Sequence, residues 1–517
     1  MNSMDKYSVS IDLGTSKIAL TVATVEGNDV QIIYYKESPS AGIKYSGIYN
    51  VSQASEALKS AIAEAEQELG IKITQAVMGI PKYPIRTKSA KQSIQDRGDG
   101  MEITQEDIED LKNFALSEYP GTNPESEAVF GAVAQSFSDG ENFQIIENDI
   151  IGMTSNVLEG HFKIFIGKQS DLKKIDQIMK RVDIIPVQKF FTADTTAKAV
   201  LYDSEMENGV AMIDFGAGST SVSIYQGNIM RHYASIPFGG KNITDDIKNE
   251  AQISERLAEN IKLAYGACMP EKLQNLSEKV LHIKSSTSEG DKTLPVKYLS
   301  EIITARIEEI VMAILYEIEQ SGFADMLRSG LVVTGGVAHT ANICSFIHDI
   351  SGYKTRAGYP RQIFSWHDCN GLSDASAATS IGLLLAAKNS ADLNCAIAYD
   401  TENPVSEVTV VEEAVVEEPV VAEPVAEDAE NPVAAEEQNK TEETQTNIWG
   451  EDEEELERLR KEKEKEKKDE ERRRREEEKR LQEEEAKRQK EEKKEKKGKR
   501  IWTIFDSIFN EMDDTKV

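Results

Sequence analysis

Two stretches of this chain, about 200 residues apart, echo each other, and the echo limits the possible folds more than any other feature. Ser10 to Leu20 reads SIDLGTSKIAL, and Met212 to Ile224 reads MIDFGAGSTSVSI. Each is a strand ending in Ile-Asp-x-Gly, a tight turn of small residues, and a second strand of alternating character. That is the pattern of a β-hairpin whose loop stays open to a ligand. Two such units predict two related lobes.

The surrounding sequence fits lobes of mixed type. Short apolar or β-branched runs predict strands over Tyr7 to Leu13, Ile18 to Val25, Gln31 to Tyr35, Val210 to Phe215, Ser219 to Tyr225 and Gly330 to Thr334. Amphipathic stretches predict helices over Gln53 to Leu69, Thr104 to Leu116, Ser170 to Val182, Ile243 to Glu250, Glu255 to Tyr265, Lys297 to Gln320 and Asp374 to Lys388. Alternation of this kind points to an α/β protein with sheets covered by helices.

Charge shows where the globular part ends. Of 60 Lys and Arg and 91 Asp and Glu, the first 400 residues hold 36 bases and 52 acids. Residues 401 to 450 hold 14 acids and one base, with Pro404, Pro419, Pro424 and Pro432, so a disordered acidic linker is expected there. Residues 451 to 500 hold 21 acids and 22 bases, arranged in pairs such as Glu464 with Lys468 and Glu484 with Arg488, which predicts a solvated single helix over 451–498. The last segment, 499–514, changes character once more. Ile501, Trp502, Ile504, Phe505, Ile508, Phe509 and Met512 gather on one face of a helix, directly after Lys499 and Arg500. Such a helix could dock on the body of the protein or lie flat on a membrane. The basic cluster favours anionic lipid, where each such residue contributes about 1 kcal/mol.

Several classes are excluded. No apolar run approaches the roughly 18 to 20 residues of a spanning helix, and MNSMDKYSVS lacks the marks of a secretory signal, so a cytosolic chain is expected. Cys268, Cys344, Cys369 and Cys395 form no metal-ligand spacing with each other or with histidine and are read as reduced thiols. An acidic body argues against nucleic acid as a partner.

The turns carry the chemistry. Gly14, Thr15, Ser16 and Lys17 offer backbone N–H groups, two hydroxyls and an ammonium to a polyphosphate, with Asp12 placed to hold water on Mg²⁺. Asp214 with Gly216, Ala217, Gly218 and Ser219 offers similar tools; either turn alone is more often an ordinary hairpin, and it is their repetition that points to a ligand. There is no Walker loop. The strand running into Gly335, Gly336 and Val337 would let a flat base or sugar approach the backbone, or is a plain strand-to-helix turn. Glu259 and Lys262 could clasp ribose hydroxyls, whereas their spacing alone favours a surface ion pair.

Taken in chain order, the elements resemble the actin-like ATPase superfamily and, more closely, the FtsA family of bacterial cell-division proteins. The residues that carry the resemblance are IDLGTSKIAL, IDFGAGSTSVSIY, PFGGKNITDDI (Pro237 to Ile247), AENIKLAYGACMP (Ala258 to Pro270) and VVTGGVA (Val332 to Ala338). IGMTSNVLEGHF (Ile151 to Phe162) is similar to a stretch in the family's small inserted subdomain. Where the second phosphate motif often reads Asp-x-Gly-Gly-Gly-Thr-Thr-Asp, this chain has Ala217 and Ser221, one glycine and one acid fewer.

The resemblance implies an actin-like two-lobed α/β fold with duplicated sheet and helix subdomains and a small inserted α/β subdomain. The first lobe would take residues 1–82 and 167–192, completed by 373–390; the insert, 83–166; and the second lobe, 193–372, with an outer subdomain near 240–320. It also implies ATP with Mg²⁺ in the interlobe cleft, with at most weak ATPase activity. Gly14 to Lys17 and Gly216 to Ser219 would hold the phosphates, Asp12 and Asp214 the metal through water, Glu259 and Lys262 the ribose, and Gly335, Gly336 and Val337 the adenosine. The implied role is a filament-forming protein that tethers FtsZ to the cytoplasmic face of the inner membrane at the division site. A sugar-kinase-like enzyme and a pilus-type assembly factor are the rival readings.

Overall fold

The computed structural model describes residues 6–27, 29–95, 101–118, 125–283, 292–366, 369–388 and 394–398, all within one compact unit. The expected linker at 401–450, the charged helix at 451–498 and the amphipathic helix at 499–514 lie outside the described residues.

The hairpin echo in the sequence becomes a duplicated sheet. Strands Lys6–Leu13, Lys17–Glu26 and Asp29–Pro39 form an antiparallel meander, and Gln75–Ile80 and Ile185–Phe191 extend it in parallel on the side of the first strand. In the second sheet Val210–Phe215, Thr220–Gln226 and Ile229–Ile236 form the same meander. There Gly330–Thr334 and Thr355–Ala357 are the parallel extension. The five strands correspond in order and sense, and Ser365–Trp366 adds an edge to the first sheet alone. Val210–Phe215 is buried along its whole length, as a central strand covered on both faces must be.

Local sequence accounts for the helices around these sheets. Asn50 caps Val51–Leu69 and Gly70 ends it in the left-handed conformation. Ser254 caps Glu255–Tyr265 through the N–H of Leu257 at 3.3 Å. Thr104 and Asp107 form a capping box at the start of Gln105–Ser117. The expected helix over Asp374 to Lys388 is shorter than its pattern: a 3-10 turn at Ala375–Ala377 leads into an α-helix over Ala378–Ala387. The expected helix at Ile243 starts earlier, at Gly240.

A third sheet, antiparallel, joins Arg86–Ile94, Leu158–Lys168 and Glu127–Ser138, and the Gln105–Ser117 helix packs on it. Its core holds Leu111, Phe137, Leu158, Phe162 and Ile164. This small α/β subdomain falls in the chain between Gln75–Ile80 and Ile185–Phe191 of the first sheet. It touches the second sheet along Ile229–Ile236: Gln135 Nε2 donates to the Met230 carbonyl at 2.9 Å and Arg231 donates to the Gln135 carbonyl at 2.7 Å.

Helices Thr192–Val200 and Ala378–Ala387 pack together, and the latter also lies on the first sheet. Their approach depends on Gly382, where a Cβ would stand 2.4 Å from the Thr195 carbonyl oxygen. Backbone cannot yield as a flexible side-chain end can. Gly382→Val should therefore lower unfolding free energy by about 1–3 kcal/mol, read from the denaturant midpoint; an unchanged midpoint would show that the helices slide apart freely.

Candidate functional site

The two hairpin turns close alike. Gly14 N donates to Lys17 O at 2.9 Å, and Gly216 N donates to Ser219 O at 3.1 Å. Asp12 and Asp214 occupy the same place in their hairpins, each the last but one residue of its strand. The turns also meet. A Cβ on Gly218 would fall 2.5 Å from Thr15 Oγ1 and 2.9 Å from Thr15 Cβ. Ser46 links them further, its N–H donating to Thr15 Oγ1 at 3.0 Å and its hydroxyl lying 2.6 Å from that of Ser219.

Around this meeting point lies a cleft of about 420 Å³, within the range of small-molecule sites. Asp12, Gly14, Thr15, Ser16 and Lys17 line one wall, and Asp214, Gly216, Ala217, Gly218 and Ser219 the other. Glu259, Lys262, Gly335, Gly336 and Val337 line it too, so the structure brings together every cleft residue singled out in the sequence. Lys499, Arg500, Ile501, Trp502, Ile504, Phe505, Ile508, Phe509 and Met512 lie outside the described residues.

The remaining walls have clear local causes. Gly335 has φ +86, and a Cβ there would meet the Phe215 carbonyl oxygen at 2.6 Å. Glycine relieves both the conformation and the crowding, and the chain then enters a 3-10 turn over Gly336–His339. The Gly240–Ala251 helix is tied to the second turn by Gly240 N to Gly216 O at 2.9 Å and Lys241 N to Ala217 O at 2.8 Å. Glu259 and Lys262 do form the ion pair their spacing favours, at 2.8 Å, yet it faces the cleft. Lys262 Nζ also donates to the Gly240 carbonyl at 2.9 Å and to Thr244 Oγ1 at 2.8 Å. Burial pulls the Lys262 ammonium below its usual pKa, with the Glu259 charge opposing.

Two side chains at the site, Lys82 and Glu37, are not singled out in the sequence. Lys82 forms an ion pair with Asp214 and donates to Thr379 Oγ1 at 3.0 Å. Glu37 forms an ion pair with Lys17 and accepts from Tyr35 at 2.5 Å and Ser376 at 3.1 Å. The strand before Lys82, Gln75–Ile80, runs parallel to Lys6–Leu13, with Ile11 opposite Met78. Ligand sites in such sheets lie at the carboxyl ends of parallel strands. Recognising AVMGI as that neighbouring strand would have located Lys82.

Burial raises Asp12 above the usual aspartate range, more than the charges of Lys82 and Lys17 lower it. For Lys82, burial disfavours the ammonium, but Asp214 and then Asp12 outweigh it and hold its pKa above the ordinary lysine value. Burial of Glu37 is likewise outweighed, by the Lys17 charge and by hydrogen bonds from Lys17, Tyr35 and Ser376, so its pKa is depressed. A depressed carboxylate stabilises the fold at neutral pH and loses that contribution as pH falls through the folded-state value. Glu37→Gln should therefore flatten the decline in stability as pH falls below the ordinary glutamate value of about 4.3, measured as denaturant midpoint against pH; parallel profiles would refute the assignment.

Comparison with known proteins identifies the family. The family model described as Cell division protein FtsA matches residues 211–382. A protein of that name from Neisseria meningitidis serogroup B is 30% identical over 396 residues, an alignment spanning 75% of this chain and 91% of that protein. The chain belongs to the FtsA family of cell division proteins. The FtsA of Streptococcus pneumoniae serotype 2 is 27% identical over 69% of this chain and 76% of its own, and that of Pseudomonas aeruginosa 26% over 74% and 89%. Among solved structures, the PilM-PilN type IV pilus biogenesis complex aligns with a TM-score of 0.52 at 14% identity, over 73% of this chain and 98% of that one. That likeness concerns the fold, which is actin-like in this FtsA-family chain as expected. No helix among the described residues is long and apolar enough to cross a membrane.

Proposed function

We propose that this cell-division protein binds ATP with Mg²⁺ in the cleft, assembles into filaments through its lobes, and holds FtsZ filaments to the cytoplasmic face of the inner membrane at the division site. The observation that carries the reading is the meeting of the two hairpin turns, with Gly218 against Thr15 at the mouth of one cleft. Turns that close support a chain of phosphates from both sides.

The residues fit the nucleotide. Gly14 to Lys17 and Gly216 to Ser219 would hold the phosphates, Glu259 and Lys262 the ribose, and Gly335, Gly336 and Val337 the adenosine. Among the described residues no group of three or more His, Cys, Asp or Glu could hold a metal ion by itself. Mg²⁺ would therefore rest on the phosphates and on waters held by Asp12 and Asp214, which suits an ion that keeps part of its hydration shell. Bound there, it would shield the phosphate charge. In this reading residues 1–82, 167–192 and 373–390 are the first lobe, 83–166 the insert and 193–372 the second lobe, with its outer part at 240–320. The 401–450 and 451–498 segments would be the tether, and 499–514 the helix that lies on anionic lipid.

Co-sedimentation with liposomes containing anionic lipid tests the tether. The full chain should carry FtsZ to the pellet, and residues 1–498 should leave both in solution. Equal sedimentation of the two forms would refute a membrane role for the last segment.

A further inference from the structure

We propose that Lys82 is a further nucleotide-binding residue, whose ammonium leaves Asp214 for the terminal phosphate of a bound nucleoside triphosphate. The inference rests on the nucleotide reading of the cleft and adds to it the group that distinguishes a triphosphate from a diphosphate.

The three lysines of the cleft are held differently. Lys262 donates to Glu259, the Gly240 carbonyl and Thr244, which uses all three of its N–H groups. Lys17 is held on the first turn by Glu37 and by the Ser376 carbonyl at 3.0 Å. Lys82 donates to Asp214 and to Thr379 Oγ1, so among the described residues it, like Lys17, has one of its three N–H groups not engaged, but it alone of the three is paired with a carboxylate of the hairpin turns. Its side chain is 15% exposed, lining the cleft, whereas Asp214 is 4% exposed.

Charge explains the exchange. Lys82 lies within the field of both Asp12 and Asp214, the two carboxylates that the hairpins bring to the cleft. Without a ligand its ammonium is their counter-ion. A triphosphate arriving with a divalent cation brings a competing anion for Lys82 and a competing cation for the aspartates. Each group then finds a partner of opposite charge without leaving the cleft.

The backbone is suited to such a move. The Lys82 carbonyl accepts the Tyr233 hydroxyl at 2.7 Å, which ties its main chain to the second sheet. Only the flexible four-carbon stem has to swing. The terminal phosphate would lie where Asp12 and Asp214 converge, away from the Glu259 and Lys262 pair on the ribose side.

The test is calorimetric titration of the full chain with ATP and with ADP in Mg²⁺, for the wild type, Lys82→Met and Lys82→Arg. Lys82→Met should weaken ATP binding about 10- to 100-fold, as expected for a charge-assisted hydrogen bond, and ADP binding less than about threefold. Lys82→Arg should recover most of the loss for ATP. Equal losses for ATP and ADP, or tighter ATP binding, would overturn the proposal and leave Lys82 as a structural counter-ion. If Lys82→Met does not fold, Lys82→Gln, whose amide can still donate to Asp214, carries the same comparison. A wild type that binds neither nucleotide would bring down the cleft reading and this inference together. Wild-type ATP binding with an unchanged ATP-to-ADP ratio in the variants would bring down the inference alone.

Discussion

Gly218→Val should weaken ATP binding by about two orders of magnitude while leaving the secondary structure intact. A Cβ at this position falls 2.5 Å from Thr15 Oγ1 and 2.9 Å from Thr15 Cβ. Contact that close involves more than the tip of a side chain, so the turns must separate. Valine adds two methyl groups to that Cβ in the same crowded space. Misplacing positioning groups by about 1 Å can cost a factor of about 100, and here both turns that line the cleft move at once. Gly218→Ala should show a smaller loss in the same direction. Calorimetry or a fluorescent ATP analogue would measure it, with circular dichroism as the folding control. An unchanged Kd in a folded valine variant would mean that the turns do not grip the phosphates together.

The second large effect concerns stability. Asp214→Ala removes the carboxylate that holds Lys82, and both side chains are mostly buried, at 4% and 15% exposed. Breaking one side of a buried ion pair costs about 3–5 kcal/mol because the other charge stays behind. Asp12 still attracts Lys82, so the lower end, about 3 kcal/mol, is expected. Adding Lys82→Met to Asp214→Ala should return most of that loss, since an apolar replacement of a whole buried pair is close to neutral. The measurement is a double-mutant cycle on denaturant midpoints in the absence of nucleotide. A double variant as unstable as Asp214→Ala alone would show that the stranded charge is not the cause.

Legibility differed between elements for physical reasons. Val210–Phe215 and Gly330–Thr334 agree with their expected limits residue for residue, because central strands buried on both faces leave unbroken apolar runs. Glu255–Tyr265 was equally clear, since Ser254 supplies the cap. Ile185–Phe191 gave no such signal. It is an edge strand with a proline, a register shift and several exposed positions, and it is a strand only because Gln75–Ile80 lies beside it. Glu127–Ser138, rich in small and polar residues, owes its state to the register imposed by Leu158–Lys168.

The site divides in the same way. By itself the sequence determined the two Asp-x-Gly turns, the glycine pair at 335 and 336 and the Glu259 and Lys262 pair. Each of these is a local pattern, set by what a tight turn or one face of a helix requires. Only the tertiary structure decided that Gly218 abuts Thr15, that Glu37 neutralises Lys17 and that Lys82 stands against Asp214. Those partners are brought together by strand order in two sheets, across separations of 20 to 132 residues in the ion pairs. Spacing along a chain cannot encode a contact whose geometry is set by which strands become neighbours.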